Sequence, residues 1–388
     1  MRVQFYGTRG SGSIFPSWSE RAAAQEVWDH SLMKCVFGDI EKHADAEGQL
    51  NCSLEDILGA PMSLEALVKY RNKFKLEIPL VYGGWTTCVH VRTSDDTDIV
   101  FDCGSGFRNC AKDLQNDWRD KKERKLYIFG SHSHRDHTEG FDQASVCFDP
   151  RNSISVYGNR QFLRSLDDYL GIFSREVDNN ILGVHSPLYY GLMPAKFEAI
   201  RIVGTDPNRK QENGNLWDCK SHLAEEEIII GDVRITPFEV YHPAPCFAYR
   251  VEAEGKIFVF CTDHELRRGP DPSSSNQIAS LAAEERVRHY SAGADLLYRD
   301  GQFLKIEYDG KKGIGNSGAI PRVDWGHSCI EDITEMAQEC DVKHTLIGHH
   351  DPNRDWSELN LINKSLMKNA KTRGHRVELA CAETIIEI

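Results

Sequence analysis

Metal-binding side chains are concentrated in one short stretch of the sequence. His132, His134, Asp136 and His137 lie within six consecutive positions, directly after the apolar run at residues 126–129. Imidazole nitrogens and carboxylate oxygens are ligands for zinc, manganese and iron. A loop at the end of a strand can direct its residues to two neighbouring ions. We predict that His132 and His134 share one ion, while the other two side chains serve the second.

The pattern His-x-His-x-Asp-His after an apolar strand is similar to the signature of the metallo-β-lactamase superfamily. The resemblance implies a further ligand histidine, a bridging aspartate and a final histidine, which here correspond to His242, Asp263 and His349. Taken singly, His242 could be a turn residue and Asp263 a strand-end cap. His350 is the alternative for the last ligand; we prefer His349 because it directly follows an apolar run, as in the family pattern.

A centre of this kind implies hydrolytic chemistry. Two divalent ions about 3.5–4 Å apart can bind a hydroxide between them and stabilise the oxygens of the displaced group. We expect two ions, with zinc as the first choice and manganese or iron as alternatives, because the same ligands suit all three. Asp136 is expected to bind a metal and also to orient the nucleophile.

A second motif suggests which bond is hydrolysed. The block Trp-Gly-His-Ser at residues 325–328 precedes a predicted helix and resembles the histidine-containing helix start of the tRNase Z-like and related phosphodiesterase branches. In those relatives the histidine protonates the leaving oxygen or holds the phosphate, which implies a catalytic role for His327. The alternative is that Ser328 caps the helix and His327 is merely adjacent.

Two glycine-containing segments also resemble phosphodiesterase-type members of the family. They are residues 7–11, Gly-Thr-Arg-Gly-Ser, and the blocks within residues 82–106. Their glycines would let the backbone run close to the metals, although ordinary tight turns are the alternative.

Short strands and late helices must position these residues. Apolar residues at helical spacing predict helices over 331–340 and 356–370, on either side of a strand at 344–348. Strands are predicted at residues 2–6, 87–92, 98–102, 125–129, 153–157 and 233–241, and in a hairpin of 247–253 with 256–261. Such a mixture predicts two sheets covered by helices on their outer faces. The resemblance implies the four-layer αββα sandwich of the metallo-β-lactamase fold.

Three segments interrupt this order and are interpreted as helical or irregular insertions. They lie at approximately residues 17–79, 175–225 and 264–290, with helical candidates in the first around Trp18–Val36 and Leu64–Phe74. Since no linker is visible, we predict one domain over residues 1–388.

Composition limits the partners. The net charge of −13 would repel polyanions, and no long basic segment is present, so a nucleic-acid polymer is disfavoured and a small anionic substrate is expected. No signal peptide and no apolar run long enough for a bilayer are visible, which predicts no membrane association and a cytoplasmic protein with its 12 cysteines reduced.

The predicted function is therefore that of a dinuclear-metal-dependent hydrolase, a phosphodiesterase acting on a small phosphodiester such as a cyclic nucleotide. Alternatives with the same fold are a lactone, lactam or thioester hydrolase and an RNA-processing nuclease. A non-catalytic binding protein would not need the complete ligand set. The sequence leaves a homodimer open.

Overall fold

The computed structural model describes residues 1–15, 18–76, 82–178, 187–204, 217, 219–371 and 375–388. The described residues divide into two compact units, the first within Met1–Phe15 and Tyr82–Ile388 and the second within Pro16–Val81. Parts of the predicted insertions at 17–79 and 175–225 lie outside the described residues.

The larger unit contains two sheets. Their strands are β1 (Arg2–Gly7), β2 (Cys88–Arg92), β3 (Asp98–Phe101), β4 (Arg124–Phe129), β5 (Asn152–Gly158), β6 (Lys196–Val203), β7 (Lys220–Leu223), β8 (Ile228–Ile230), β9 (Val233–Val240), β10 (Cys246–Ala253), β11 (Lys256–Cys261), β12 (Leu296–Asp300), β13 (His344–Gly348), β14 (Arg376–Leu379) and β15 (Ile385–Glu387). The first sheet has the order β15-β1-β2-β3-β4-β5-β6-β7, and the second has the order β14-β13-β12-β11-β10-β9-β8.

Helices cover both outer faces. In chain order, the described helices are α1 (Trp18–Ile40), α2 (Leu54–Leu58), α3 (Leu64–Asn72), α4 (Phe107–Asp117), α5 (Arg160–Leu170), α6 (Ser275–Ser291), α7 (Lys305–Tyr308), α8 (Ile330–Glu339) and α9 (Trp356–Lys371). Helices α4 and α5 pack on the first sheet, whereas α6, α8 and α9 pack on the second. The predicted four-layer αββα arrangement is confirmed.

Alternation along the strands explains why both faces are covered. In β3, Ile99 and Phe101 point into the core between the sheets, whereas Val100 joins the core beneath α4. Phe101 stacks on Phe260 of the opposite sheet with ring centroids 5.1 Å apart. Because successive side chains of a strand point to opposite faces, an all-apolar strand of this kind must be buried on both sides.

Parallel pairing brings the ends of several strands to one edge. Strands β3 to β6 pair in parallel, as do β11 to β14. The segments that follow β4, β11 and β13 carry the predicted metal ligands, and the segment that follows β9 carries His242. Loops at the carboxyl ends of parallel strands are a common location for functional sites.

The smaller unit is helical, with α1, α2 and α3. The side chain of Ser53 accepts a hydrogen bond from the Asp56 N–H to form a capping box at the start of α2. The Tyr70 hydroxyl donates to Asp39 Oδ2 over 2.9 Å, which links α3 to α1. The helices predicted around Trp18–Val36 and Leu64–Phe74 correspond to α1 and α3.

No helix among the described residues combines the length and the apolar composition that crossing a bilayer requires.

Candidate metal centre

The loop after β4 is shaped by buried contacts at its start. A Cβ atom on Gly130 would lie 2.1 Å from the ring of Phe162, so only glycine fits between β4 and α5. The N–H of Ser131 then donates to Asp102 Oδ1 over 2.6 Å. These contacts direct His132 to the sheet edge, and a short 3-10 turn at Arg135–His137 follows.

The first group of ligand atoms comes from three loops. His132, His134, His242 and Asp263 each offer one atom, and these atoms lie within 4.8 Å of one another. His242 Nε2 is 3.3 Å from His134 Nδ1, and His132 Nε2 is 3.4 Å from Asp263 Oδ2.

The second group lies on the other side of Asp263. Asp136, His137 and His349 offer atoms within 4.8 Å of one another. Asp263 Oδ1 is 3.3 Å from His137 Nε2 and 3.2 Å from His349 Nε2. Since the other oxygen of Asp263 faces His132, this carboxylate joins the two groups as a bridging ligand would.

These groups fit divalent metal ions. The Nε2 atoms of His132 and His137 are buried and have no hydrogen-bond partner among the described residues. Ligand atoms about 2.0–2.1 Å from a tetrahedral zinc ion are separated from one another by about 3.3 Å. The neighbouring ligand atoms within the two groups have this spacing, at 3.2–3.4 Å. A buried polar atom without a partner is costly, and a metal ion would supply that partner.

Burial keeps several of these imidazoles neutral, as metal ligands must be. It lowers the pKa of His132 well below its usual value and that of His242 to about 3. Burial also lowers the pKa of His134.

Negative charge surrounds His137. Burial opposes a charged imidazole there, but the carboxylates of Asp263, Asp136 and Asp102 outweigh burial and hold the pKa of His137 well above its usual range. A cluster of buried carboxylates that raises the pKa of an imidazole in this way also attracts a metal cation.

Each of four histidines is oriented through its second nitrogen. The Nδ1–H of His137 donates to Asp102 Oδ2 over 2.7 Å, and that of His349 donates to Gln302 Oε1 over 3.1 Å. His132 donates its Nδ1–H to Ser131 Oγ, and His242 donates its Nδ1–H to the carbonyl of Gly326. Such partners fix the ring and leave Nε2 for the metal.

The structure separates the neighbours His349 and His350. The Nε2–H of His350 donates to the carbonyl of Ala380 over 2.7 Å, away from the two groups. His349 Nε2 lies 3.3 Å from Asp136 Oδ2. His349 is therefore the member of the pair that joins the ligand atoms.

The glycine segments do approach the centre. A Cβ atom on Gly10 would lie 2.1 Å from His349 Nδ1, and one on Gly104 would lie 2.3 Å from the Asp136 carbonyl. The N–H of Ser11 donates to Asp136 Oδ2 over 2.7 Å. Close approach of backbone to the ligands therefore requires glycine at these positions.

His327 lies beside both groups. Its ring stacks on that of His349 with centroids 4.6 Å apart, and its Nδ1–H donates to Asp300 Oδ2 over 2.8 Å. Burial lowers the pKa of His327, but the carboxylates of Asp300, Asp263 and Asp136 together outweigh burial and raise the pKa to about 9. The alternative in which Ser328 caps the helix is wrong, because its hydroxyl donates to the carbonyl of His264 and Cys329 occupies the N-cap position of α8.

Access to the centre is uneven. His134 is exposed, whereas His132, His137, His242 and His349 are buried. The side chain of Arg135 is 91% exposed at the same loop. The surface near His134 and Arg135 is therefore the side from which solvent reaches the ligand atoms.

The sequence is similar to one known protein family. A family model described as a beta-lactamase superfamily domain matches residues 97–350. The chain belongs to this superfamily. The matched range includes every predicted ligand, and the superfamily consists mostly of metal-dependent hydrolases.

Two solved structures show the same superfamily fold. The short form of human tRNase Z is 15% identical, with 100% of this chain and 99% of that chain covered and a TM-score of 0.50. Zn²⁺-bound PqqB from Methylobacterium extorquens is 11% identical, with both chains covered completely and a TM-score of 0.53. Among curated proteins, none matches the chain.

All seven predicted ligands are brought together, and predicted His327 lies beside them. Asp102, Asp300 and Gln302, which hold the histidine rings, were not predicted as partners. Asp102 and Asp300 carry a signal that could have been used, since each is an acidic residue at the end of an apolar strand, at the edge that bears the ligands.

Proposed function

We propose that this chain is a dinuclear-metal-dependent phosphodiesterase that acts on a small phosphodiester, with cyclic nucleotides as a candidate substrate class. The observation that carries the proposal is the pairing of His327 with Asp300 next to the ligand atoms. Phosphodiester hydrolysis requires a proton for the leaving oxygen, and an oriented imidazole beside the reacting bond is suited to supply it.

The proposed ligand assignment follows the two groups. One ion would be held by His132, His134 and His242, the other by Asp136, His137 and His349, and Asp263 would contact both. When bound, divalent ions lower the pKa of water and stabilise negative charge on phosphoryl oxygens. We expect zinc, and manganese or iron would also suit these ligands.

The remaining steps belong to side chains of the protein. Asp136 is held by the Ser11 N–H and lies where it can orient the attacking water. Asp300 accepts the Nδ1–H of His327 and favours the doubly protonated ring, in which Nε2 carries the proton that is transferred to the leaving oxygen. Asp136, His327 and Asp300 are buried, which limits the access of bulk water to these three groups.

The net negative charge of the protein favours a small substrate over a polymer. With 59 acidic and 46 basic residues, the protein repels a long polyanion, whereas a bound dication and the exposed Arg135 can still attract one phosphodiester group. This is the reason to place the RNA-processing alternative second.

Substrate assays test the proposal. Protein reconstituted with Zn²⁺ or Mn²⁺ should hydrolyse bis-4-nitrophenyl phosphate and a cyclic nucleotide but not nitrocefin or a thioester. His327→Ala should lower kcat by about 10²–10⁴-fold for a diester with an alkoxide leaving group. The loss should be much smaller for a 4-nitrophenolate leaving group, because that anion departs without a proton.

His289→Ala is the matched control, since His289 is an exposed histidine at the end of α6 and should leave both rates unchanged. Turnover of nitrocefin or the thioester in preference to every phosphodiester would contradict the proposed function. Equal losses for both leaving groups in His327→Ala would contradict the role of the histidine.

A further inference from the structure

A buried carboxylate outside the ligand set joins two segments of the centre. Glu265 follows Asp263 by two residues and is fully buried. Its Oε1 accepts hydrogen bonds from the Tyr308 hydroxyl, over 2.5 Å, and from the Asp324 N–H, over 2.9 Å. Its Oε2 accepts from the Gly326 N–H over 2.8 Å. All three partners are hydrogen-bond donors. An ionised carboxylate can accept from all three, whereas a side-chain amide has only one oxygen and would turn its own NH₂ group towards a donor.

The two backbone donors belong to a loop with an unusual conformation. Asp324 and Gly326 have φ values of +67° and +91°, in the left-handed region. Asp324 adopts this conformation at a cost that glycine would not have. A Cβ atom on Gly326 would lie 2.1 Å from His242 Nδ1, so the loop also requires glycine at this close approach. A loop of this shape depends on partners that bind its N–H groups.

The same loop contacts the centre at two points. The carbonyl of Gly326 accepts the Nδ1–H of His242 over 3.1 Å and so orients that ring. The next residue is His327, whose Nδ1–H reaches Asp300. A shift of the Gly326 backbone would therefore move one predicted metal ligand and the predicted proton donor together.

We propose that Glu265 is a positioning residue that sets His242 and His327 against the metal centre through the loop at residues 322–328. For His327, this inference rests on the proposed function. For His242, it rests only on the metal centre. The carboxylate of Glu265 bonds to Tyr308 and to the backbone of the loop, and it acts on the centre through that backbone.

Other contacts tether the loop and should allow a Glu265 variant to fold. Arg267 Nε donates to Asp324 Oδ1 over 2.7 Å, and the Ser328 hydroxyl donates to the carbonyl of His264 over 2.5 Å. Loss of Glu265 should therefore change the conformation of the loop without detaching it.

The test compares Glu265→Gln with the wild-type protein by chelator competition. The amide has the size of the carboxylate, but it turns an NH₂ group towards one of the backbone N–H donors. We expect metal affinity to fall by about 10–100-fold, the usual effect of losing an outer partner of a ligand. This measurement requires no turnover, so it remains decisive if the phosphodiesterase assignment fails.

Kinetics supply the second measurement. With metal at saturation, Glu265→Gln should lower kcat by about 10²-fold for an alkoxide leaving group, as expected for a misplaced proton donor, with little change in KM. The 4-nitrophenyl substrate should be affected much less. In a His327→Ala background, Glu265→Gln should cause no further loss, because both changes remove the same step.

Asp295→Asn is the control for a purely structural effect. Asp295 is a buried carboxylate at the opposite end of β12, where it accepts from the Ile257 N–H over 2.9 Å. This control should lower the melting temperature while metal affinity and kcat remain unchanged. Wild-type metal affinity in Glu265→Gln, or equal losses for both leaving groups that persist in the His327→Ala background, would overturn the proposal.

Discussion

Replacing Asp263 by alanine is expected to remove both metal ions and to reduce hydrolysis to the background rate. One oxygen of Asp263 faces His132 at 3.4 Å, and the other faces His137 and His349 at 3.3 and 3.2 Å. Under the proposed assignment, the change would therefore take one ligand from each ion. It also removes negative charge from a buried site in which charge attracts the ions, so the remaining ligands should hold metal poorly.

The measurement is metal content per chain after extensive dialysis, together with turnover of the phosphodiester. Asp295→Ala provides the control, because that residue is also a buried aspartate but lies at the end of the sheet away from the ligands. It should keep its metal. An Asp263→Ala protein that retains wild-type metal content would contradict the bridging assignment.

The second large effect is expected at His349, and its neighbour supplies a control of the same residue type and burial. His349 and His350 are 1% and 2% exposed, so alanine should disturb packing to a similar extent at both. Only His349 turns Nε2 towards Asp136 and Asp263. We expect His349→Ala to lose the ion on that side and to lose activity well beyond the roughly 10–100-fold cost of an outer partner.

His350→Ala should retain its metal and most of its activity, because His350 donates to the carbonyl of Ala380. It should have a lower melting temperature, since that buried carbonyl loses its partner. Metal content and melting temperature of the two variants, measured in parallel, check this prediction. Loss of metal in His350→Ala with retention in His349→Ala would reverse the assignment.

Most of the fold could be predicted from local patterns. The strand predicted at 344–348 matches β13, and the predicted hairpin corresponds to β10 and β11. Helices α4 and α5 were not predicted, although the buried residues of α4, Phe107, Cys110, Ala111 and Leu114, have helical spacing. Segment 264–290, interpreted as an insertion, contains most of α6, whose Val287 packs against the second sheet.

The ligands could be predicted because each directly follows an apolar run and because their order resembles a family signature. Their outer partners could not, since these depend on which strand ends lie side by side. Asp300 meets His327 only because β12 lies between β11 and β13. Glu265 is a stronger example of a contact that the sequence does not reveal. Its partners Tyr308, Asp324 and Gly326 lie 43 to 61 positions away in sequence, and nothing local indicates that loop.

Metal content of the wild-type protein tests the central claim most directly. Protein purified without chelator and dialysed against metal-free buffer should contain about two divalent ions per chain, as expected for a dinuclear hydrolase. Removal of these ions with chelator should abolish phosphodiester hydrolysis, and their return should restore it. A preparation that hydrolyses the phosphodiester at the full rate while free of metal would contradict the account.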